Sequence, residues 1–142
     1  MIKFTIPLPP ITKKNSQQIR YRYGRDRTTG ARKQIPYIAP SQAFKDYEQA
    51  AMWFVPKLRQ PNGIDFPVNV KCIFYVPTLK PCDLTNHLEA IDDIMVKAGL
   101  LADDNYKIIE SHDGSRVRYD KNNPRTEVYI ERIKENENEN QT

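Results

Sequence analysis

The chain has 142 residues, a size typical of one domain with its own core, and its composition of 39% hydrophobic and 28% charged residues is ordinary for a globular protein. No apolar run approaches the roughly 20 residues of a membrane-spanning helix, and the first residues lack the apolar segment of a signal peptide. We therefore expect no membrane association and a cytoplasmic location. The two cysteines, Cys72 and Cys82, have no partners at zinc spacing, which argues against a disulfide framework or a structural zinc site.

The net charge of +4 conceals two regions of opposite sign. Residues 1–40 contain nine Lys and Arg residues against the single acid Asp26. Residues 83–113 contain eight acids against Lys97 and Lys107. This asymmetry suits a protein that holds a polyanion with one part and a cation with the other, although two solvated faces would give the same pattern.

The N-terminal third predicts one strand, one loop and one helix. Residues 2–7 read as a strand that the following prolines end. Residues 11–36 are polar and lack a sustained apolar period, which predicts a long loop. Ser41 can cap a helix that runs to Pro56, and Trp53 is expected in the core.

The remaining segments predict a sheet and a second helix. Residues 68–76 are rich in β-branched and aromatic side chains, typical of a central strand. Asp83 to Ala98 shows apolar residues on one helical face, and Gly99 suits its end. Two further strands are expected at 107–111, continuing through 116–119, and at 126–133.

The predicted fold class is α/β (α+β), a small mixed β-sheet with two main helices in the order β-loop-α-β-α-β-β. Residues 1–133 are expected to form a single domain. Residues 134–142 repeat Glu-Asn and predict a disordered polar tail.

Several acids fall at the two ends of the segment 83–104, where carboxylates from separate elements would suit a hard divalent cation. Asp83 stands just before the second helix, Glu89 lies within it, and Asp103 and Asp104 follow it. Without further information, the ordinary interpretation is the favoured one. In that view Asp83 is an N-cap, the helical acids form a wetted face, and Asp103 and Asp104 form a turn.

The segments DLTNHLEAIDD, at 83–93, and AGLLADD, at 98–104, resemble the signature of the RusA family of Holliday junction resolvases. That family typically shows Asp-x-Asp-Asn at a helix start, a Lys four residues after the second Asp, and an Asp-Asp pair after a turn that contains Gly. The opening IPLPP, at 6–10, followed by KKNS, at 13–16, is also similar to the start of that family. These anchors span most of the chain from 1 to 133.

The resemblance implies a compact RusA-like dimer that binds branched DNA by its structure and makes paired nicks with Mg2+, or with Mn2+ as a substitute. Such genes are often of phage or prophage origin. Carried over by position, Asp83 matches the first acidic ligand of the family, Asp104 the last with Asp103 beside it, and Asn86 the Asn of the motif.

Two positions depart from the family pattern. Thr85 occupies the place of the second Asp, and Glu89 occupies the place of the Lys. We expect Glu89, on the same helical face as Thr85, to restore the missing oxygen ligand. For the Lys, two outcomes are open: an Arg or Lys of residues 1–40, the basic segment, replaces it, or the activity is weaker. The expected metal ligands are Asp83, Glu89, Asp103 and Asp104, and the expected catalytic residues are Asp83, Glu89 and Asp104.

The expected DNA contacts are Lys13, Lys14, Asn15, Arg20 and Arg22, since Lys and Arg dominate phosphate binding and Asn adds hydrogen bonds. Tyr21 and Tyr23 either stack on unpaired bases or cover the edge of the core, and we favour the second interpretation. His87 is expected to be packed or wetted rather than catalytic.

The function that these features predict is a Mg2+-dependent endonuclease that resolves four-way junctions as a homodimer, because resolution needs two symmetric cuts. Two alternatives remain. The chain is a catalytically inactive relative that binds DNA or regulates, or it is a nuclease that prefers flaps or forks.

Overall fold

The computed structural model describes residues 1–13 and 17–134. The elements are β1 (Ile2–Ile6), β2 (Gln17–Arg25), β3 (Arg32–Pro40), α1 (Gln42–Met52), β4 (Val68–Val76), α2 (Leu84–Lys97), β5 (Ile109–Ser111), β6 (Arg116–Tyr119) and β7 (Arg125–Arg132). The predicted fold class, a small mixed sheet with two helices, is confirmed. The expected tail lies outside the described residues except for Lys134, and the single-domain boundary stays a prediction.

Strand β4 is the centre of the main sheet. It pairs antiparallel with β7 and parallel with β5 and β6, while β1 pairs antiparallel with the far edge of β7. Val70, Cys72 and Phe74 alternate along β4 and are fully buried, so one whole face of the strand contributes to the core. The predicted central strand is confirmed with the bounds expected for it.

Helix α2 is where the sequence period indicates it, and its buried residues Ala90, Ile91, Ile94 and Met95 pack on the sheet. Helix α1 packs beside α2, and its buried residues Phe44, Tyr47 and Ala51 belong to the same core. Within the described ranges, neither helix is long and apolar enough to cross a membrane.

The prediction that Trp53 belongs to the core is wrong. Its relative exposure is 88%, whereas Ala51, two residues earlier, is fully buried. Successive helical residues are rotated by about 100°, so a side chain two positions after Ala51 points away from the buried face. The aromatic character of the residue is therefore a poorer guide here than its helical phase.

The segment predicted as a long loop forms, in its described part, an antiparallel hairpin of β2 and β3. The register pairs Ile19 with Ile38, Tyr21 with Pro36 and Arg25 with Arg32. These strands form a separate two-stranded sheet. Residues 19–23 alternate apolar and Arg side chains, a period of two that is typical of a strand and that the loop prediction overlooked.

A close backbone contact follows α1. Gly63 has a φ of 70°, in the left-handed region that favours glycine. A Cβ at Gly63 would lie 2.5 Å from the carbonyl oxygen of Gly99 and 2.7 Å from that of Leu100. The Ile64 N–H donates to Leu100 O at 2.8 Å, and the Ala102 N–H donates to Ile64 O at 2.9 Å. This contact fixes the path of the chain as it leaves α2 toward the acids that follow.

We expect Gly63→Ala to lower the free energy of unfolding by about 3 kcal/mol, because the left-handed conformation and the overlap with backbone oxygens both destabilise alanine. Gly30→Ala is a matched control, since Gly30 has a φ of 69° but nothing within 4 Å of its added Cβ. We expect it to lose only about 1–2 kcal/mol. Urea unfolding measures both losses, and equal values would contradict a role for the close contact.

Candidate nuclease site

Asp83 is the N-cap of α2. Its backbone is extended, and Oδ1 accepts a hydrogen bond from the Thr85 N–H at 2.8 Å. The residue is exposed, as is Glu89 further along the helix. The ordinary capping role therefore applies to Asp83, and it leaves the residue accessible to solvent at the helix start.

Asp104 lies near Asp92 and Asp93 in the second half of α2. Its charge is close enough to Asp92 and Asp93 to raise the pKa of both carboxyl groups, after the larger effect of burial. Asp103 holds the turn, because Oδ1 accepts from the Asp104 N–H at 2.7 Å and Oδ2 accepts from the Asn105 side chain at 3.0 Å. The chain after α2 thus brings an exposed acid back to the acids of the helix.

Asp83, Glu89 and Asp93 are well separated from one another along α2. The rise of about 1.5 Å per residue separates Asp83 from Asp93 by about 15 Å along the axis, with Glu89 between them. In the described part of a single chain, no three His, Cys, Asp or Glu side chains are grouped so that they could hold a metal ion. Asp104 is near enough to Asp92 and Asp93 to add to the rise that burial causes in the pKa of both carboxyl groups, but these three described acids do not converge closely enough to hold a metal ion.

Asp92 forms a half-buried pair with His112. Asp92 Oδ2 lies 2.9 Å from His112 Nε2, and His112 Nδ1 lies 2.8 Å from Val70 O. A carbonyl oxygen only accepts, so Nδ1 carries a proton, and the contact at Nε2 requires one more. Burial raises the pKa of Asp92, while His112 opposes this. Burial lowers the pKa of His112, but its bonds to Asp92 and Val70 outweigh burial and the pKa rises.

The pairing with β4 is interrupted between β5 and β6, and His112, in this gap, contacts Asp92 of α2. Val68 of β4 pairs with Ile109, and Ile73 of β4 pairs with Arg116. The chain from β5 to β6 therefore has more residues between these two pairs than β4 has, and the extra residues do not pair with β4. Side chains take over the hydrogen bonds at the gap, as where Ser115 Oγ accepts from the Cys72 N–H at 3.0 Å. The extra residues include His112, which crosses to the helix.

The basic segment lies near α2 at Lys13. Lys13 is near enough to Asp93 to oppose the rise in the pKa of that carboxyl, as Lys97 also does. Thr12 is buried beside it with a relative exposure of 3%. Of the other expected DNA contacts, Arg20 and Arg22 lie on β2, while Lys14 and Asn15 fall outside the described residues.

A cleft at the start of α2 contains Asp83 and Asn86, the residues that match the family motif at this position. Lys80 lines the same cleft, as does the exposed thiol of Cys82. The other cysteine, Cys72, is buried, and burial raises the pKa of its thiol well above the ordinary value. Lys80 is a cation beside the motif that the sequence analysis did not single out.

The chain is similar to the crossover junction endodeoxyribonuclease RusA of Aquifex aeolicus strain VF5, with 28% identity over 88 residues. This similarity agrees with the RusA resemblance of the motifs. The match covers 57% of this chain and 69% of the relative, and no protein-family model matches the chain.

Three residues of the acidic region have positions that sequence reasoning did not anticipate. Asp92, expected on a wetted face in the ordinary interpretation, is 9% exposed, and Asp93 is intermediate. His112 carried no local signal, because its partner lies 20 residues earlier in the chain. His87 is buried, as one of its two expected environments requires, and burial lowers its pKa.

We expect the free energy of unfolding to be highest below pH 6.5, the ordinary pKa of His112, and to fall as the pH rises through the raised pKa of the folded pair. The raised pKa of Asp92 acts in the same direction, because the folded state binds the proton more tightly. Asp92→Asn can donate its amide N–H to Nε2 without this proton, so its stability should change less with pH. Urea unfolding between pH 6 and 9 tests this, and identical pH profiles would refute the shared proton.

Proposed function

We propose that this chain is a structure-selective endonuclease that resolves four-way DNA junctions by hydrolysing phosphodiester bonds. The observation that carries the proposal is that Asp104 and Lys13 both lie near Asp93 of α2. Lys13 belongs to the basic segment. Carboxylates that suit a cation and a Lys that suits a polyanion thus adjoin one another beside α2. The similarity to a crossover junction endodeoxyribonuclease supports the same activity.

The proposed cofactor is Mg2+, with Mn2+ as a substitute, and its proposed ligands are Asp83, Glu89, Asp103 and Asp104. The donor chemistry fits, because hard cations prefer carboxylate oxygens and Mg2+ is often held by one or two carboxylates plus substrate phosphates. Within residues 1–13 and 17–134 of one chain, these side chains do not form a closed set of metal ligands. Asp104 is the best supported of these ligands, with Asp93 as its neighbour. A bound cation would orient and activate a water and stabilise charge on the phosphate.

The chain's own residues would position the DNA. Lys13, Arg20 and Arg22, together with Lys14 and Asn15 outside the described residues, are the proposed phosphate contacts. Lys80 lines the cleft together with Asp83. We propose that Lys80, rather than a cation of the basic segment, supplies the positive charge that the Lys of the family motif would supply. Its ammonium group would stabilise negative charge that develops on a phosphate held in the cleft.

The proposed assembly is a two-fold homodimer that works in the cytoplasm. One set of acids cuts one strand, whereas resolution needs two cuts related by symmetry across the junction. A dimer also presents two copies of the basic segment to opposite arms of the DNA. Paired nicks would then follow from symmetry and would need no second kind of site.

We expect Asp104→Asn to lower the rate of junction cleavage by about a hundredfold or more, since it removes a proposed ligand of the cation that stabilises the reacting phosphate. Junction affinity should stay equal or increase, because a negative charge next to DNA is lost. Asp46→Asn, which changes an exposed acid of α1, is the control and should cut like the wild type. Cleavage of labelled four-way junctions, flaps and forks measures activity and preference. A wild-type chain that binds junctions without cutting them with Mg2+ or Mn2+ would instead be an inactive DNA-binding relative.

We expect Glu89→Gln to weaken metal-dependent cleavage, because the amide replaces the oxygen ligand proposed to compensate for Thr85. The decisive measurement is the concentration of Mg2+ that gives half the maximal rate, which should rise about tenfold or more. Thr85→Asp in the same background restores a carboxylate at the family position and should reverse part of the loss. Unchanged cleavage by Glu89→Gln would reject the compensation.

A further inference from the structure

The hairpin of β2 and β3 has two faces of different chemistry. Because side chains alternate along a strand, Ile19, Tyr21 and Tyr23 share one face with their partners Pro36 and Ile38. Arg20, Arg22 and Lys33 belong to the opposite face together with Tyr37. We call the first set, Ile19, Tyr21, Tyr23, Pro36 and Ile38, the aromatic face of the hairpin.

The aromatic face is open to solvent in the single chain. The relative exposures are 69% for Ile19, 61% for Tyr21, 64% for Tyr23 and 70% for Ile38. The favoured interpretation that Tyr21 and Tyr23 cover the edge of the core is therefore wrong. A two-stranded hairpin is only marginally stable alone in water, and a contiguous exposed apolar face typically marks a binding surface.

The charge of the hairpin selects a polyanion as the partner of this face. Between residues 17 and 40 there are six Lys and Arg residues against Asp26, which gives a net charge of +5 by subtraction. Asp26 Oδ1 accepts from the N–H groups of Thr28 and Thr29, so its carboxylate is engaged in the turn. Two such hairpins packed face to face would repel each other, whereas a nucleic acid backbone would be attracted to either.

Tyr23 is already held in place for a planar partner. The Arg32 guanidinium carbon lies 4.6 Å from the centroid of its ring, and the Gln34 amide donates to its hydroxyl at 3.5 Å. These contacts restrict the ring before any ligand binds, which reduces the ordering cost of stacking. The combination of aromatic rings with surrounding cations is the arrangement that binds unpaired bases without sequence preference.

We propose that the aromatic face of the hairpin is a stacking platform for unpaired bases at the branch point of DNA, with the cations of the hairpin on the adjacent phosphates. This rests on the proposed function for the identity of the DNA but concerns a surface apart from the acids of α2. A continuous duplex keeps its bases stacked inside, so the platform would favour branched over linear DNA.

The test compares affinities for a four-way junction with unpaired thymines at its centre and for a duplex of equal length, measured by fluorescence anisotropy in EDTA. The double variant Tyr21→Ala/Tyr23→Ala should bind the junction about tenfold more weakly and the duplex almost unchanged. Tyr21→Phe/Tyr23→Phe retains the rings and should restore junction affinity. Tyr37→Ala, on the opposite face, should show no selective loss for the junction.

Three other results would overturn the platform, and one of them would also overturn the proposed function. An equal loss for junction and duplex in the alanine variant would overturn the platform, and cleavage by the wild type would still leave the proposed function standing. A wild-type chain that binds none of these DNAs would overturn both. Conversion of a dimer to a monomer by the alanine variant, seen by light scattering, would assign the face to a second copy of the chain and reject the platform.

Discussion

The arrangement of the acidic region depends on the backbone contact between the turn at Gly63 and the chain that leaves α2. The 2.8 Å hydrogen bond from Ile64 N to Leu100 O holds two segments that are far apart in sequence. This contact acts together with the burial of Leu100 and Leu101, and with their N–H donors to Met95 O, to direct the chain after Gly99. Gly63 thus contributes to the path of the chain that carries Asp103 and Asp104, because backbone atoms approach there where a side chain would not fit.

The electrostatics of the molecule follow from this path. Burial raises the pKa of Asp92 and Asp93 and the charge of Asp104 adds to the rise, and such perturbed groups are more common at functional sites than elsewhere. His112, Lys13 and Lys97 supply opposing positive charge. The pair of Asp92 and His112 is tied to β4 through Val70, so the acids are supported by the sheet.

Local patterns were sufficient to predict most of the elements. The β-branched run from Val68 to Val76 and the apolar stripe of α2 reflect burial against the core, and each is confirmed with nearly the expected bounds. Trp53 was missed because its aromatic character was given more weight than its helical phase. The hairpin was missed although residues 19–23 alternate apolar and Arg side chains, because the polar composition around them favoured a loop.

The acidic residues show a second limit of sequence reasoning. Spacing along α2 follows from helical geometry, so the separation of Asp83 and Glu89 could be derived directly. The position of Asp104 depends on Gly63, some forty residues earlier, and that of His112 depends on extra residues in a strand ladder. Both positions depend on contacts between residues that are far apart in sequence, so local sequence patterns do not predict them.

The two thiols differ in a way that offers a direct view of the cleft. Cys82 is exposed next to Asp83, while Cys72 is buried with a raised pKa and so is a poor nucleophile. A maleimide dye would therefore attach at one defined position in the unmodified chain, at the mouth of the cleft. The native sequence thus already carries a place for a fluorescent reporter of whatever enters there.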